Sequence, residues 1–150
     1  MLKISLRKAG DGDIKRFIEI EQMADSKTYS AMTTNKEWKD ELDKENAKIY
    51  AIMLGDKIIG DVSYEIKENG VAYISGLCID HELRGRGIGK QAIKIILEEL
   101  ENHKRIELVT HPENKNAIKL YLSFGFYTEK QMDNYFGDGE PRILMVKINN

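Results

Sequence analysis

The chain has 150 residues, of which 41% are apolar and 32% charged, a composition typical of a folded soluble protein. Its formal net charge of −2 leaves no general basic excess, which argues against nucleic acid as a partner. The single cysteine, Cys78, excludes an intrachain disulfide and a cysteine-based zinc site. The N-terminal segment lacks the apolar run of a signal peptide, and no stretch reaches the ~20 apolar residues of a membrane span. We therefore expect one domain over residues 1–150, cytoplasmic and without membrane association.

The first third of the chain predicts a short strand followed by two helices. Residues 3–6 alternate as a strand does, and apolar residues at helical spacing follow Asp13, a good helix cap. Thr34 and Glu37 form a capping-box pattern that predicts the start of the second helix. The polar residues 25–33 predict a loop between the two helices.

The period then changes to that of β-strands. Residues 48–54, 57–66 and 71–80 form three such runs, separated by turn-forming residues, which predicts an antiparallel meander. The third run is apolar on both faces and is therefore expected to be a central strand. Gly76 inside it indicates a bulge or a close approach of another backbone.

Helical and strand patterns alternate in the second half. An apolar face beginning at Ile88 predicts a long helix, and Gly125 is expected to end a later one. Residues 133–142 are rich in turn formers and predict a loop. The remaining predictions are a strand at 105–110, a helix at 115–124, and strands at 126–132 and 143–148.

The segment RGRGIGK, residues 84–90, carries three glycines and three cations directly before the long helix. It is not a Walker loop, because Gln91 follows the lysine where serine or threonine is needed. It is not a dinucleotide fingerprint, because the glycine spacing is GxGxG and the segment follows a meander. The pattern R-x-x-G-x-G at the start of a helix does suit a pyrophosphate, which free N–H groups would bind.

Residues 84–89 match R-x-x-G-x-G without substitution and resemble the acetyl-CoA signature of the GNAT superfamily of N-acetyltransferases. A second stretch begins with NKNAIKLY at Asn114 and ends with FGF around Gly125. Together these residues resemble the family's N-x-x-A-x-x-L-Y-x-x-x-G-F segment. The predicted element order resembles the family across the chain. The resemblance implies an α/β (α+β) fold with a mixed, mostly antiparallel central sheet of about six to seven strands, flanked by about four helices.

The resemblance also implies acetyl-CoA as cosubstrate and no metal. The pantetheine arm would lie along the strand at residues 71–80, where a backbone N–H would polarise the thioester carbonyl. Asn114 would contact the cofactor arm. The residues implied for the acyl-cysteamine end are Leu77, Cys78 and Ile79, and those for the phosphates are Arg84, Gly85, Arg86, Gly87, Ile88, Gly89 and Lys90.

The implied reaction is direct attack of a neutral amine on the thioester, with Tyr121 as the candidate general acid. Glu107 is a candidate base, and a water chain is an equal alternative. Cys78 and His81 raise the alternative of a covalent route, which the sequence disfavours because cysteine is commonly a buried apolar residue. His103 and His111 are expected at the surface or at strand ends.

The sequence thus predicts an N-acetyltransferase whose acceptor is a small-molecule amine or a protein or peptide amine. An acyl-CoA-binding sensor without activity, on the same fold, is the alternative. The acceptor is expected between the 25–33 loop, the second helix and the 133–142 loop, where Asp133, Asp138 and Glu140 suit a cation. The sequence does not identify the acceptor, and it leaves open whether the protein forms a homodimer.

Overall fold

A computed structural model describes residues 2–150, which form seven strands and four α-helices. None of these helices has both the length and the apolar character that crossing a bilayer requires. The strands are β1 (Ser5–Lys8), β2 (Ala47–Leu54), β3 (Lys57–Ile66), β4 (Ala72–Ile79), β5 (Arg105–Thr110), β6 (Tyr127–Met132) and β7 (Arg142–Ile148). The helices are α1 (Ile14–Ala24), α2 (Asn35–Asp43), α3 (Ile88–Glu99) and α4 (Lys115–Ser123).

The strands form one mixed sheet in the order β1-β2-β3-β4-β5-β7-β6. Every neighbouring pair is antiparallel except β4 and β5, which run parallel. The predicted meander is confirmed as β2-β3-β4, and β4 is central, with β3 on one side and β5 on the other. The fold class predicted from the sequence is confirmed.

Helices cover both faces of the sheet. On one face, α1 and α2 pack against β2, and Phe17 lies 4.7 Å, ring centroid to ring centroid, from Trp38. On the other face, α3 and α4 bury their apolar sides against the central strands, with Ile93 and Ile96 fully buried. Trp38 is therefore a packing residue, and its indole N–H donates to the Met32 carbonyl at 2.9 Å.

Two local predictions near the N-terminus need correction. The first strand was predicted at residues 3–6 but lies at Ser5–Lys8, because the backbone from Ser5 to Lys8 is the part that pairs with β2. Asp13 does precede α1, but its carboxylate does not cap the helix. It instead accepts hydrogen bonds from the Arg7 guanidinium at 2.9 and 3.0 Å and from the Gly10 N–H at 2.9 Å.

Candidate active site

A gap opens between the two parallel strands at the centre of the sheet. β4 and β5 pair only over Ala72–Ile74 and Ile106–Leu108, although both strands continue beyond these residues. A cavity of about 140 Å³ lies at this gap. It is lined by Thr28–Ser30 of the α1–α2 loop, residues 73–77 of β4, residues 108–111 around the end of β5, Asn114, Ala117 and Tyr121 of the α4 segment, Phe136 and Arg142.

A β-bulge lies in β4 beside this cleft. Ser63 of β3 pairs with Gly76, but Tyr64 pairs with Ile74, so that Ser75 is an extra residue. A Cβ atom on Gly76 would come within 3.1 Å of the Ser63 hydroxyl, which is tighter than side chains normally tolerate. The bulge predicted from Gly76 is confirmed, and it redirects the backbone of β4 at the point where the cleft opens.

The glycine loop follows β4 through the 3₁₀ turn His81–Leu83 and ends at the start of α3. Gly85 and Gly87 both have φ +76°, a conformation that favours glycine, and a Cβ atom on either would meet nothing within 4 Å. The first backbone bond of α3 runs from the Gln91 N–H to the Gly87 carbonyl. The N–H groups of residues 88–90 therefore have no partner within the helix, and the open backbone above them fits an anion.

The glycine loop carries three exposed cations, and its last glycine, Gly89, faces apolar side chains. Arg84, Arg86 and Lys90 are exposed, and none of them forms an ion pair within residues 2–150. A Cβ on Gly89 would lie 3.7 Å from Leu77 and 3.8 Å from Leu120, an ordinary packing distance. Gly85 and Gly87 are thus the positions where the missing side chain leaves the backbone open to a ligand.

Helix α4 presents two of the predicted residues to the cleft. Asn114 caps the helix, its side-chain oxygen accepting from the Ala117 N–H at 3.4 Å. Tyr121 is 6% exposed and stacks edge-on against Phe126 at 5.6 Å between ring centroids. Burial raises the pKa of the Tyr121 phenol well above its usual value, so the hydroxyl keeps its proton at neutral pH.

The structure places Glu107 away from this cleft. Its carboxylate lies 2.7 Å from the Arg105 guanidinium and 3.6 Å from the Lys67 ammonium. Val109, two residues later on the same strand, lines the cleft instead. A role for Glu107 as a base stays a prediction, and its engagement with two cations does not favour it.

The predicted residues on the last part of β4 divide between the two faces of the sheet. Leu77 and Ile79 pack against the core under α3 and α4, and Leu77 also lines the cleft. Cys78 is 3% exposed on the opposite face, where its thiol lies 4.0 Å from the Ile20 carbonyl. Burial raises the pKa of this thiol far above its usual value, whereas His81 is exposed in the turn that follows. A thiolate nucleophile activated by histidine is therefore not formed.

His111 is a cleft residue that the sequence analysis placed at the surface or at a strand end. It does follow β5, but it is only 1% exposed. Its Nδ1 accepts the Glu113 N–H at 3.0 Å, which places the ring proton on Nε2, 2.8 Å from the Glu140 carboxylate. The sequence signal was limited to a polar residue at the end of a strand, which did not indicate burial.

Two loops close over the cleft. Arg142, 2% exposed, donates to Asp138 at 3.1 Å and lies 5.0 Å from the centre of the Phe136 ring. The same guanidinium reaches Ser30 of the α1–α2 loop at 3.4 Å. The predicted acceptor region, between the 25–33 and 133–142 loops, is therefore joined directly to the cleft.

A second cavity, of about 210 Å³, borders the first on the α1–α2 side of the sheet. The two share the side chains or backbone of Tyr29, Ser30, Tyr73, Ser75 and Gly76. Acidic residues dominate the charged part of the second cavity. They are Glu21, Glu41, Asp61 and Glu65, with Lys44 as the single cation of its lining.

Comparison with known proteins agrees with this geometry. A family model described as "Acetyltransferase (GNAT) family" matches residues 14–126. A spermine/spermidine N(1)-acetyltransferase of Bacillus subtilis is 35% identical over 72 residues, which cover 46% of this chain and 47% of that protein. The match thus spans about half of that relative's length.

Solved structures match over nearly the whole chain. A ribosomal-protein-S18-alanine N-acetyltransferase from Escherichia coli has a TM-score of 0.82 at 19% identity, covering 99% of this chain and 96% of that one. A ribosomal L7/L12 α-N-protein acetyltransferase in complex with coenzyme A has the same score, identity and coverage. These likenesses show the fold, and the family model covers well over half of the residues. The chain belongs to the acetyltransferase (GNAT) family.

Proposed function

We propose that the protein transfers an acetyl group from acetyl-CoA to a primary amine. The observation that carries this proposal is the arrangement around the β4–β5 gap. The open glycine backbone at the start of α3 follows β4 through one 3₁₀ turn, and Tyr121 of α4 lines the gap. These features supply a backbone suited to an anion, an unpaired strand edge and a candidate proton donor, as acetyl transfer would require.

The residues around the cleft suit acetyl-CoA. The N–H groups at the start of α3, with Arg84 and Arg86, would hold the pyrophosphate, because a helix N-terminus and nearby cations both favour negative charge. The edge of β4 that β5 leaves unpaired would bind the pantetheine arm through backbone hydrogen bonds, with Leu77 beside it. Asn114 would contact the arm from the opposite wall.

The reaction we infer is a direct transfer. The neutral amine attacks the thioester carbonyl carbon, a backbone N–H of residues 77–79 stabilises the charge that develops on the carbonyl oxygen, and the carbon–sulfur bond breaks. The sulfur leaves with the bonding electrons, and the Tyr121 hydroxyl donates a proton to it. As the amide forms, the nitrogen loses one proton, and this proton replaces, through water, the one that Tyr121 donated. The overall step therefore yields an N-acetyl amine and a free thiol, with Tyr121 restored.

The surroundings of the cleft favour a cationic acceptor, since carboxylates outnumber cations in the cavity that borders it. The compared proteins are named for different acceptors, spermine or spermidine in one and a protein alanine in another. A polyamine and a peptide N-terminus both present an amine that carries a proton at neutral pH, with α-amine pKa ~8 and alkylamine pKa ~10. Either suits the proposed site.

The proposal is tested by measuring thiol release from acetyl-CoA with a panel of acceptors: spermidine, an aminoglycoside, free amino acids and a peptide beginning with alanine. We expect turnover with at least one acceptor, and mass spectrometry should find the acetyl group on its nitrogen. Calorimetric binding of acetyl-CoA without turnover on any acceptor would contradict the proposal and support an acyl-CoA sensor instead.

Direct attack also predicts that the cysteine is dispensable. Cys78→Ala should retain most of the wild-type turnover, because the buried thiol keeps its proton and no enzyme nucleophile is needed. Wild-type protein incubated with acetyl-CoA alone should carry no stoichiometric acetyl group. Intact-mass measurement checks this, and an adduct on Cys78 that passes to the amine would establish a two-step covalent route.

A further inference from the structure

Two buried carboxyl groups face each other between helix α1 and the sheet. Glu21 of α1 and Asp61 of β3 are each 2% exposed. One oxygen of each carboxyl group and the Cys78 sulfur lie within 4.8 Å of one another. Carboxyl groups are seldom buried as neighbours, because burial and mutual repulsion both oppose their ionisation.

The two carboxyl groups differ in their hydrogen bonds. Glu21 accepts from the Tyr29 hydroxyl at 2.9 and 3.0 Å and from the Met32 N–H at 3.1 Å. The Oδ2 atom of Asp61 is buried without a hydrogen-bond partner, and it is the one such side-chain atom in residues 2–150. A buried polar atom left unpaired destabilises the fold by about 1–3 kcal/mol. A proton shared with Glu21, or the N–H of a bound amine, would supply the missing partner, so this atom marks a place where a proton or an ammonium is held.

The pair lies beside the reaction site proposed above. Both residues line the acidic cavity, whose wall at Tyr29, Tyr73 and Gly76 is shared with the cleft. Asp61 Oδ1 lies 4.0 Å from the position that a Cβ on Gly76 would occupy. Gly76 immediately precedes the backbone proposed to bind the thioester, so an amine held by the pair would be adjacent to the carbonyl that it attacks.

The other charged groups of the cavity form a separate network of two carboxylates, Glu41 and Glu65, and one ammonium, Lys44. Lys44 lies 2.6 Å from Glu41 and 3.7 Å from Glu65, nearer to the second helix. The groups that face the pair itself are the Tyr29 phenol and the Cys78 thiol, and burial raises the pKa of both. Neither contributes a charge at neutral pH, and neither carboxyl group of the pair forms an ion pair within residues 2–150, so the pair is a separate acidic centre of this cavity.

We propose that the Glu21–Asp61 pair receives the ammonium group of the acceptor and removes the proton that blocks its attack. The inference rests on the proposed acetyl transfer and assigns to it the catalytic base that the sequence analysis sought in Glu107. It also assigns the acceptor class, an amine that reaches the site in its cationic form.

The proton balance follows from the burial of the pair. Burial and the neighbouring Glu21 raise the pKa of Asp61 well above its usual value, so before the acceptor binds the pair holds one proton and one negative charge. The ammonium gives its proton to the ionised carboxylate, which leaves a neutral amine with a free electron pair. That electron pair forms the new carbon–nitrogen bond, and the pair of carboxyls later returns its extra proton to solvent.

The test compares Asp61→Asn and Glu21→Gln with the wild type, using the acceptor from the panel that turns over fastest. Each variant keeps the shape of the side chain but leaves a single carboxyl where the proposal needs two, one to hold the ammonium group and one to take its proton. Loss of a general base costs about 10²–10⁴-fold in turnover, and we expect this loss at neutral pH. The loss should shrink as pH rises toward the pKa of the acceptor, because the free amine then arrives already deprotonated.

Two further measurements separate this role from a structural one. Affinity for acetyl-CoA should stay within about twofold of wild type, and the melting temperature of Asp61→Asn should be equal or higher, since an amide can donate to Glu21 without burying a titratable group. Matched controls are Asp56→Asn and Glu68→Gln, both at exposed turns, which should behave as the wild type. If Asp61→Asn does not fold, Glu21→Gln carries the test alone, because its amide oxygen still accepts from Tyr29.

The outcomes distinguish the two proposals. Turnover by both pair variants within a few-fold of wild type, with an unchanged pH profile, would overturn the pair as base and leave acetyl transfer standing. Variants that lose acetyl-CoA affinity and stability together would likewise overturn it in favour of a structural role. No turnover by the wild type with any amine would overturn the proposed function and this inference with it.

Discussion

A Gly87→Trp variant is expected to lose at least an order of magnitude in acetyl-CoA affinity. Gly87 caps α3 at φ +76°, and the space above it is open, so the N–H groups that follow are accessible to an anion. An indole at this position would stand where the pyrophosphate is proposed to lie. A hydrogen bond to a charged group contributes about 1.5–3 kcal/mol. Loss of one such bond corresponds to a 10- to 150-fold higher Kd, measured by titration calorimetry.

The control for this variant is Gly70→Trp. Gly70 has φ +82° and equally open surroundings, so the backbone strain of a side chain in this conformation, about 1–2 kcal/mol, is matched. It lies at the turn before β4, whereas the glycine loop follows the other end of that strand. Gly70→Trp should therefore bind acetyl-CoA as the wild type does. Wild-type affinity in Gly87→Trp would contradict the assignment of the loop.

The sequence predicted the scaffold of the site well because its signals are local. Alternation over residues 57–66 predicted β3 with both ends correct, and residues 105–110 did the same for β5. Gly125 ends its helix as predicted, with φ +91°, a conformation that few other residues adopt. Gly76 lies beside the predicted bulge, where the Ser63 hydroxyl leaves little room for a side chain. The loop proposed to bind the pyrophosphate could be identified for the same reason, since its glycines and cations are contiguous.

The acidic pair could not be predicted from the sequence, because its members come from distant elements. Asp61 alternates with Val62 on β3, a pattern that normally indicates a strand with one solvated face. That face is covered by α1 and the loop after it. The sequence of the strand alone does not indicate that another element will bury it. Glu21 follows Ile20 on a helix that carries one other carboxylate, the exposed Glu19, and nothing in the local pattern separates the two, so the burial of Glu21 has no local signal. Only the packing of α1 on β3 and β4 brings these charges together.

The parallel pairing of β4 and β5 is a second non-local feature. Residues 71–80 and 105–110 each predict a strand. Neither segment indicates that the pairing of β4 with β5 ends at Ile74. The cleft exists because of that stop. The resemblance to the family supplied Tyr121 as a candidate, and the structure adds that the helix carrying it forms one wall of the gap.

Replacing Tyr121 by phenylalanine is expected to lower turnover by about 10²–10⁴-fold, the usual contribution of a general acid. The variant keeps the ring that packs against Phe126 and removes only the hydroxyl. Acetyl-CoA affinity and melting temperature should therefore change little. Because burial raises the pKa of this phenol, it stays protonated through the neutral range, and the wild-type profile should show no loss of activity up to about pH 9 from its ionisation.

The phenol is a weak acid for this task, since thiols ionise near ~8.5 and tyrosine near ~10 in water. The leaving sulfur, however, departs within the same water-poor cleft, where its negative charge is also destabilised and its affinity for a proton rises. Thiol-release kinetics of Tyr121→Phe, beside Tyr127→Phe on the exposed strand β6 as a control, measure the contribution. Turnover of Tyr121→Phe within a few-fold of wild type would show that water or another group protonates the sulfur, and that Tyr121 serves the packing of α4 against the sheet.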